Sequence, residues 1–354
     1  MGARASEHIG LVCSRLAMPR IRGPPARNHL LAGCAPVPST GGMQTGACRS
    51  IAVVTTYRRP QVLARLLRSI EQHGAAGVMG VVVVDNASDL ATATVARECP
   101  LLLAYLPQAA NRGHGAGHAV GLARALQEPA ATHFLLLDDD AIMTAGAMSA
   151  LAAQLRGQDG VAVPLIEDAA GLLRWFPGPL DRVRWRVIRE PGITPEAFRA
   201  RCGAGPARFV WAPWGIMLLS RRVVETVGLP RTDFGYSSDD IEYALRITAR
   251  FPGWLVPAAV GRHFPPSDKQ GPEAYFIHCL NLQNLVYVAT RLPHGRRIWR
   301  HLPGHFLRLF KVRGWGWPTW RDAWCAVWWG WRRGPAGLPG NDHFRHRWNE
   351  ARRT

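Results

Sequence analysis

The chain has 354 residues, 47% hydrophobic and 19% charged, so it can bury a substantial core and is not an intrinsically disordered protein. Its formal net charge of +18 is uneven: residues 291–354 carry 14 Arg or Lys against only Asp322, Asp342 and Glu350. Seven scattered cysteines without a CxxC pair argue against a disulfide framework or a zinc ribbon, and no run of 18 apolar residues offers a spanning helix.

Residues 1–48 are rich in Arg, Gly, Pro and Ser without periodicity and are expected to be disordered. Met43, just ahead of the first strand, is a possible true translation start. The N-terminus lacks the charged-then-apolar pattern of an export signal, so a cytoplasmic, reducing setting is expected. A strand is predicted over 50–56, and a helix over 59–72 with Leu63, Leu66, Leu67 and Ile70 on one face. The continuous valines at 81–84 predict a strand buried on both faces, as in a parallel sheet covered by helices. A helix near 91–98, a strand at 101–107, a helix at 117–127 and a strand at 132–140 continue this βαβ grammar. The second half is less regular: a helix over 144–155, strands at 161–165 and 216–219, a helix over 239–249 and a strand at 254–257 are expected. The fold class is α/β with a mostly parallel sheet, and Asp85 and Asp140 fall at strand carboxyl ends, where open α/β sheets bind ligands.

Asp138, Asp139 and Asp140 follow an apolar strand, and three adjacent carboxylates repel unless a cation offsets them. Two readings are open: a Mn²⁺ or Mg²⁺ site of the kind that also holds phosphates, or a solvated acidic turn capping the next helix. Other features favour the first. Thr55-Thr56-Tyr57-Arg58-Arg59-Pro60 closes strand one with two cations and opens a helix. Asp85-Asn86 ends strand two, where a carboxylate can meet a base or ribose, although the pair also suits a turn. The glycines of 111–117, Asn-Arg-Gly-His-Gly-Ala-Gly, permit close backbone approach ahead of a helix. In the segment 234–246, Ser238 or Asp239 is expected to cap a helix, leaving Asp240 and Glu242 near its start and Arg246 to tether them. A carboxylate there suits deprotonation of an acceptor hydroxyl. His263 could complete an oxygen-rich metal site.

In that order, VVTTYRRP, VVVVDNAS, NRGHGAGHAVGLARAL, FLLLDDDA and FGYSSDDIEYALR resemble the inverting family 2 glycosyltransferases of the GT-A fold, over residues 50–290. The pattern looks closest to the bacterial galactofuranosyltransferase and rhamnosyltransferase branch. The resemblance implies that Thr56, Arg58 and Asp85, with Asn111 and Gly113 of the glycine loop, contact a nucleotide sugar, and that Asp138 lies by the ribose. Asp140, Asp138 and His263 would hold Mn²⁺ or Mg²⁺, Asp240 would be the base, and Asp239 and Glu242 would place the acceptor. Trp211 and Trp214 would stack on the acceptor sugar or pack under the sheet. The branch's additional N-terminal β domain is not matched here, which favours addition of one or a few sugars over polymerisation. A catalytically inactive nucleotide-sugar-binding protein and a nucleotidyltransferase are the alternatives; the second lacks its glycine-rich loop with Lys after strand one.

Nine of the 14 tryptophans lie beyond residue 290. Residues 295–333 are expected to form short helices that dock a membrane, with the glycan or glycolipid acceptor at the inner face of the plasma membrane; a plain helical pack is the alternative, and no nucleic acid is expected. The expected organisation is a disordered segment 1–48, a GT-A domain 49–290 and a basic Trp-rich region 291–354.

Overall fold

The computed structural model describes residues 47–332 except 75–76, 236 and 265–271. The expectations for residues 1–46, including a start at Met43, and for 333–354 fall outside these. In chain order the first half is β1 (Ser50–Thr56), α1 (Pro60–His73), β2 (Val78–Asp85), α2 (Leu90–Arg97), β3 (Leu102–Pro107), α3 (His114–Ala125), β4 (His133–Asp138), β5 (Ala141–Met143), α4 (Ala147–Leu155) and β6 (Val161–Glu167). Then follow β7 (Leu173–Arg174), α5 (Arg182–Ile188), α6 (Pro195–Cys202), β8 (Ala207–Phe209), β9 (Ile216–Ser220) and α7 (Arg221–Val227). The last elements are α8 (Asp239–Thr248), β10 (Gly253–His263), α9 (Pro272–Arg291), α10 (Leu302–Arg313) and α11 (Trp317–Arg332).

The sheet runs β3-β2-β1-β4-β9-β6-β10-β5. The first four strands are parallel, and β9 is antiparallel to both β4 and β6. Every residue of β1 is buried, because helices cover both faces of the sheet and two apolar clusters fill the layers on either side. This α/β architecture is as expected from the valine runs. The β1–β4 register sets Thr55 beside Asp138, which brings the first and fourth strand ends together. The chain order jumps from β1 to β4 here, a crossover point of the kind at which α/β sheets form ligand crevices.

α3 packs on this crossover through glycines. A Cβ on Gly117 would lie 2.1 Å from Thr55 Cγ2, and one on Gly121 would lie 2.3 Å from Val53 Cγ1. The helix starts at His114, three residues earlier than expected, because Gly113 adopts φ +91° and turns the chain into it. β10 runs on to His263, beyond the expected end at residue 257; its pairing with β6 skips between Val256 and Val260, and the displaced stretch absorbs Pro257. β5, β7 and β8 are too short to carry a period, and they were not expected.

The C-terminal helices form a third core with α9. Cys279, Leu282, Leu285 and Val288 of α9 pack with Leu309 and Phe310 of α10 and Ala323 and Ala326 of α11. α9, which begins before residue 291, packs with α10 and α11 in this cluster. The five cysteines among the described residues are free.

Gly121→Ala tests the close approach of α3 to the sheet. Helix propensity alone favours Ala by ~1 kcal/mol, but overpacking against the rigid Val53 costs about 1–3 kcal/mol. A net loss of stability in urea unfolding is expected, where an unpacked helix glycine would give a gain.

Candidate active site

The three aspartates at the end of β4 point to three different sets of partners. Asp139 is fully buried and takes Thr56 Oγ1 at 2.7 Å and the Arg59 guanidinium as a fork, with Nε at 3.1 Å and Nη2 closer still. Arg59 Nη1 also reaches Asp140 Oδ2 at 2.9 Å. Asp140 in turn accepts from His263 Nε2 at 2.8 Å. Asp138 accepts from His114 Nδ1 at 3.2 Å, with His118 Nε2 at 3.8 Å. Antiparallel pairing of His263 with Ala141, and a hydrogen bond from Phe264 N to the Asp140 carbonyl, place the histidine opposite the aspartate.

These partners sort the protonation states. Burial pushes Asp139 up to about 6, against the pull of Arg59 and Thr56, so it is ionised at neutral pH. Burial also opposes ionisation of Asp138, but the His114 and His118 contacts outweigh it and hold the carboxyl well below its usual range. His114 is raised to about 9 because Asp138, then Asp239 and Asp139, overcome its desolvation. His118, fully buried, is lowered. Desolvation of His263 is likewise overcome by Asp140, and its pKa is raised.

The start of α8 closes the site from the other side. Asp239 Oδ2 accepts the Gly115 backbone N–H at 2.6 Å, which ties α8 to the first turn of α3. A Cβ on Gly113 would lie 1.8 Å from the Gly235 carbonyl, so the two loops meet only because residue 113 is glycine. The expected side-chain cap does not form: Ser237 and Ser238 both have positive φ, Ser238 Oγ donates instead to Asn281 Oδ1 at 2.7 Å, and Asp239 is engaged with Gly115. Asp240 accepts only the adjacent Ile241 N–H, at 2.7 Å, among the described hydrogen bonds. Burial, then the charges of Asp239 and Asp138, push its carboxyl up to about 8.

Asp138, Asp240 and His263 line one cavity of about 150 Å³, walled by Trp175, Pro213 and Trp214. Asp138, Asp140 and His263 each offer one ligand atom, all within 4.8 Å of one another. Two carboxylates and an imidazole suit a hard or borderline divalent cation such as Mn²⁺ or Mg²⁺, so the residues present fit a metal.

Other predicted residues sit elsewhere. Asp85 lies at the same sheet edge, but its oxygens accept from Ala87 N and Asp89 N, both 2.8 Å, and from Tyr105 Oη at 2.7 Å. Asn111 Oδ1 accepts from Gly113 N at 3.0 Å and shapes the glycine loop. Arg58 turns outward with φ 54° and lies over the Tyr57 ring. Its neighbour Arg59 is the cation that meets the aspartates. The sequence reading singles out Arg58 and not Arg59, and only the turn before Pro60 separates them. Glu242 is buried and paired with Arg246, as the tethering role expected of Arg246 requires. Trp214 is buried against His118 and Tyr243, whereas Trp211 contacts His301 and does not line the cavity. Trp175, edge-on to His263 at 4.5 Å, was not anticipated, because its short irregular segment carries no motif.

Residues 51–203 match Glycosyl transferase family 2. Over that stretch the chain is similar to family 2 glycosyl transferases, and its fold is GT-A. GalNAc-T7, solved with UDP, GalNAc and Mn²⁺, superposes with a TM-score of 0.53 at 14% identity over 86% of this chain; the chain spans about half, 55%, of that protein. S. aureus TarS 1–349 gives a TM-score of 0.51 at 15% identity, covering 80% of this chain and 81% of TarS, and its complex with UDP-GlcNAc gives 0.51 at 14%. No curated protein matches the sequence. The family 2 match ends before α8 and β10, so Asp240 and His263 lie outside it.

Two substitutions test the electrostatics. Arg59→Ala leaves the buried Asp139 unpaired and is expected to cost about 3 kcal/mol in denaturant unfolding; Arg59→Lys recovers little of it, because an ammonium cannot serve both oxygens of Asp139 and Asp140 at once. Asp240 is protonated longer in the folded than in the unfolded chain, so it lowers stability progressively as pH rises from about 4, the unfolded value, to about 8. Asp240→Asn in metal-free buffer should therefore raise Tm at pH 9 and leave it unchanged near pH 3.

Proposed function

We propose that this protein is an inverting glycosyltransferase that moves a sugar from a nucleoside-diphosphate sugar to a hydroxyl of a lipid-linked glycan, in cell-envelope polysaccharide synthesis. The observation that carries the reading is convergence: Asp138, Asp240 and His263, far apart in the chain, line one cavity.

In this reading Asp138, Asp140 and His263 would hold Mn²⁺ or Mg²⁺, which when bound would supply charge neutralisation for a departing nucleoside diphosphate. Arg59 and Thr56 hold Asp139 in place, and Arg59 also fixes Asp140 through Oδ2. Thr56, Arg58, Asp85, Asn111 and Gly113 border the nucleotide. Asp240 receives the proton of the acceptor hydroxyl as that oxygen attacks the anomeric carbon, and its raised proton affinity suits a base. Asp239 sets the position of Asp240 through its bond to Gly115. Trp214 and Trp175 form an aromatic wall on which a sugar ring can stack. Glu242 serves by fixing α8. The galactofuranosyl or rhamnosyl transfer suggested by the sequence pattern is the finer form of this proposal, and the enzyme is placed at the inner face of the plasma membrane, where such an acceptor resides.

A thermal-shift panel of nucleotide sugars with Mn²⁺ tests the donor site. One donor class should raise Tm in the native protein and fail to do so in Asp140→Asn or His263→Ala. Asp240→Asn should keep the donor shift and lose roughly 10²–10⁴-fold in transfer. If no nucleotide sugar shifts Tm in the folded protein, or if Asp240→Asn transfers normally, the assignment fails.

A further inference from the structure

α11 carries its amphipathicity inside out. Its buried residues are Thr319, Asp322, Ala323, Ala326 and Gly330, almost all small. They bring the helix so close to α9 that a Cβ on Gly330 would stand 2.3 Å from the Gln283 carbonyl. Its largest residues face outward: Trp317, Trp320, Trp324, Trp328 and Trp331 are exposed, from 36% at Trp320 to 76% at Trp317. Their spacing of three or four residues puts all five on one helical face, a ridge about 20 Å long at 1.5 Å per residue.

The ridge is continuous with α10. Phe306 contacts Trp320 and Trp324, and Phe310 packs against Trp315 and Trp320 at 4.5 and 4.7 Å. Leu307 and Val312 of α10 are exposed beside them in sequence. Exposed aromatics on this scale exceed what a solvated surface needs, and they mark an interaction surface. The charge around them has one sign. Between residues 292 and 332 the single acid, Asp322, is buried and engaged by Arg313, Arg321 and Tyr275. Arg296, Arg297, Arg300, Arg308 and Lys311 are exposed.

We propose that this face of α10 and α11 docks on the surface of an anionic lipid bilayer, with the indoles at the headgroup level and the arginines paired with acidic lipid. Indole is the side chain best suited to that boundary, since its ring is apolar and its N–H is a donor. Cations that meet no acid on their own surface complement anionic headgroups. No helix among the described residues is long and apolar enough to cross a membrane, so the contact is with the surface rather than a span. A single-stranded nucleic acid fits less well: it needs open ring faces for bases to stack on, whereas Trp320 and Trp324 meet Phe306 edge-on and Trp328 meets Trp329 edge-on. The inference names where the proposed lipid-linked acceptor is met and so extends that reading, but lipid docking itself does not require glycosyl transfer.

Flotation with phosphatidylglycerol vesicles, against pure phosphatidylcholine vesicles, tests it on the full chain. The native protein should float with the anionic vesicles, and its tryptophan emission should be quenched by lipids brominated near the headgroup. Trp317→Ser/Trp324→Ser/Trp328→Ser should keep the native Tm and circular dichroism and lose about tenfold or more in vesicle partition. If the triple variant unfolds, Arg296→Ser/Arg297→Ser/Arg300→Ser serves instead and should lose the preference for the anionic vesicles. Equal flotation of the folded variants overturns the proposal. So does a ridge that pairs two copies, seen as a native dimer by light scattering that the tryptophan variant splits, or quenching by an oligonucleotide without flotation. Donor binding, read by thermal shift without vesicles, is independent: its loss would count against glycosyl transfer and leave the docking result standing.

Discussion

Three adjacent aspartates at the end of a buried strand are the constraint around which the site is built. At such separations like charges in a poorly solvated environment repel by several kcal/mol, and each carboxylate needs its own compensation. The fold supplies it from three directions. β1, next to β4, delivers Thr56 and Arg59 to Asp139; α3 brings His114 and His118 to Asp138; the β5–β10 pairing brings His263 to Asp140. Arg59 is shared between Asp139 and Asp140, so one guanidinium offsets two charges and fixes the angle between them. Asp138, Asp140 and His263 each offer a ligand atom, all within 4.8 Å of one another, a set that suits a divalent cation.

The opposite wall is held under strain. Two consecutive serines before α8 adopt left-handed backbone, and the helix begins without a side-chain cap. That arrangement is unfavourable locally, and it persists because Asp239 bonds to Gly115, Ser238 to Asn281, and Asn284 to the Ser237 carbonyl. The effect is to aim Asp240 into the cavity near two other carboxylates, where it holds a proton more tightly than a free aspartate. Stability is lost at this residue in the same measure as basicity is gained.

The C-terminal helices have a different logic. Their inner faces are small, so α9 and α11 approach closely, and the large aromatic side chains that would ordinarily fill a core are turned outward. The α9–α11 cluster also includes Phe234 and Leu245, which flank the site segment, so the outward ridge and the cavity wall share one packed unit.

The alternation of apolar runs and amphipathic stretches over residues 50–140 determined the α/β class and the first strands and helices, because hydrophobic periodicity follows directly from which faces are buried. The acidic triplet, the glycine loop and the Asp239-Asp240 pair were legible for the same reason: each is a local grouping whose cost or geometry is apparent in a few residues. The tertiary structure alone decided which side chain meets which. Arg59 rather than Arg58 binds the aspartates because the backbone reverses at residue 58, and Asp239 anchors rather than caps because Gly115 lies across from it. His114, His118 and Trp175 joined the site through strand order and register, to which a sequence read one segment at a time is blind. The tryptophans were countable in the sequence. That they point outward was settled by small residues on the other face of α11, which only close packing against α9 gives a role.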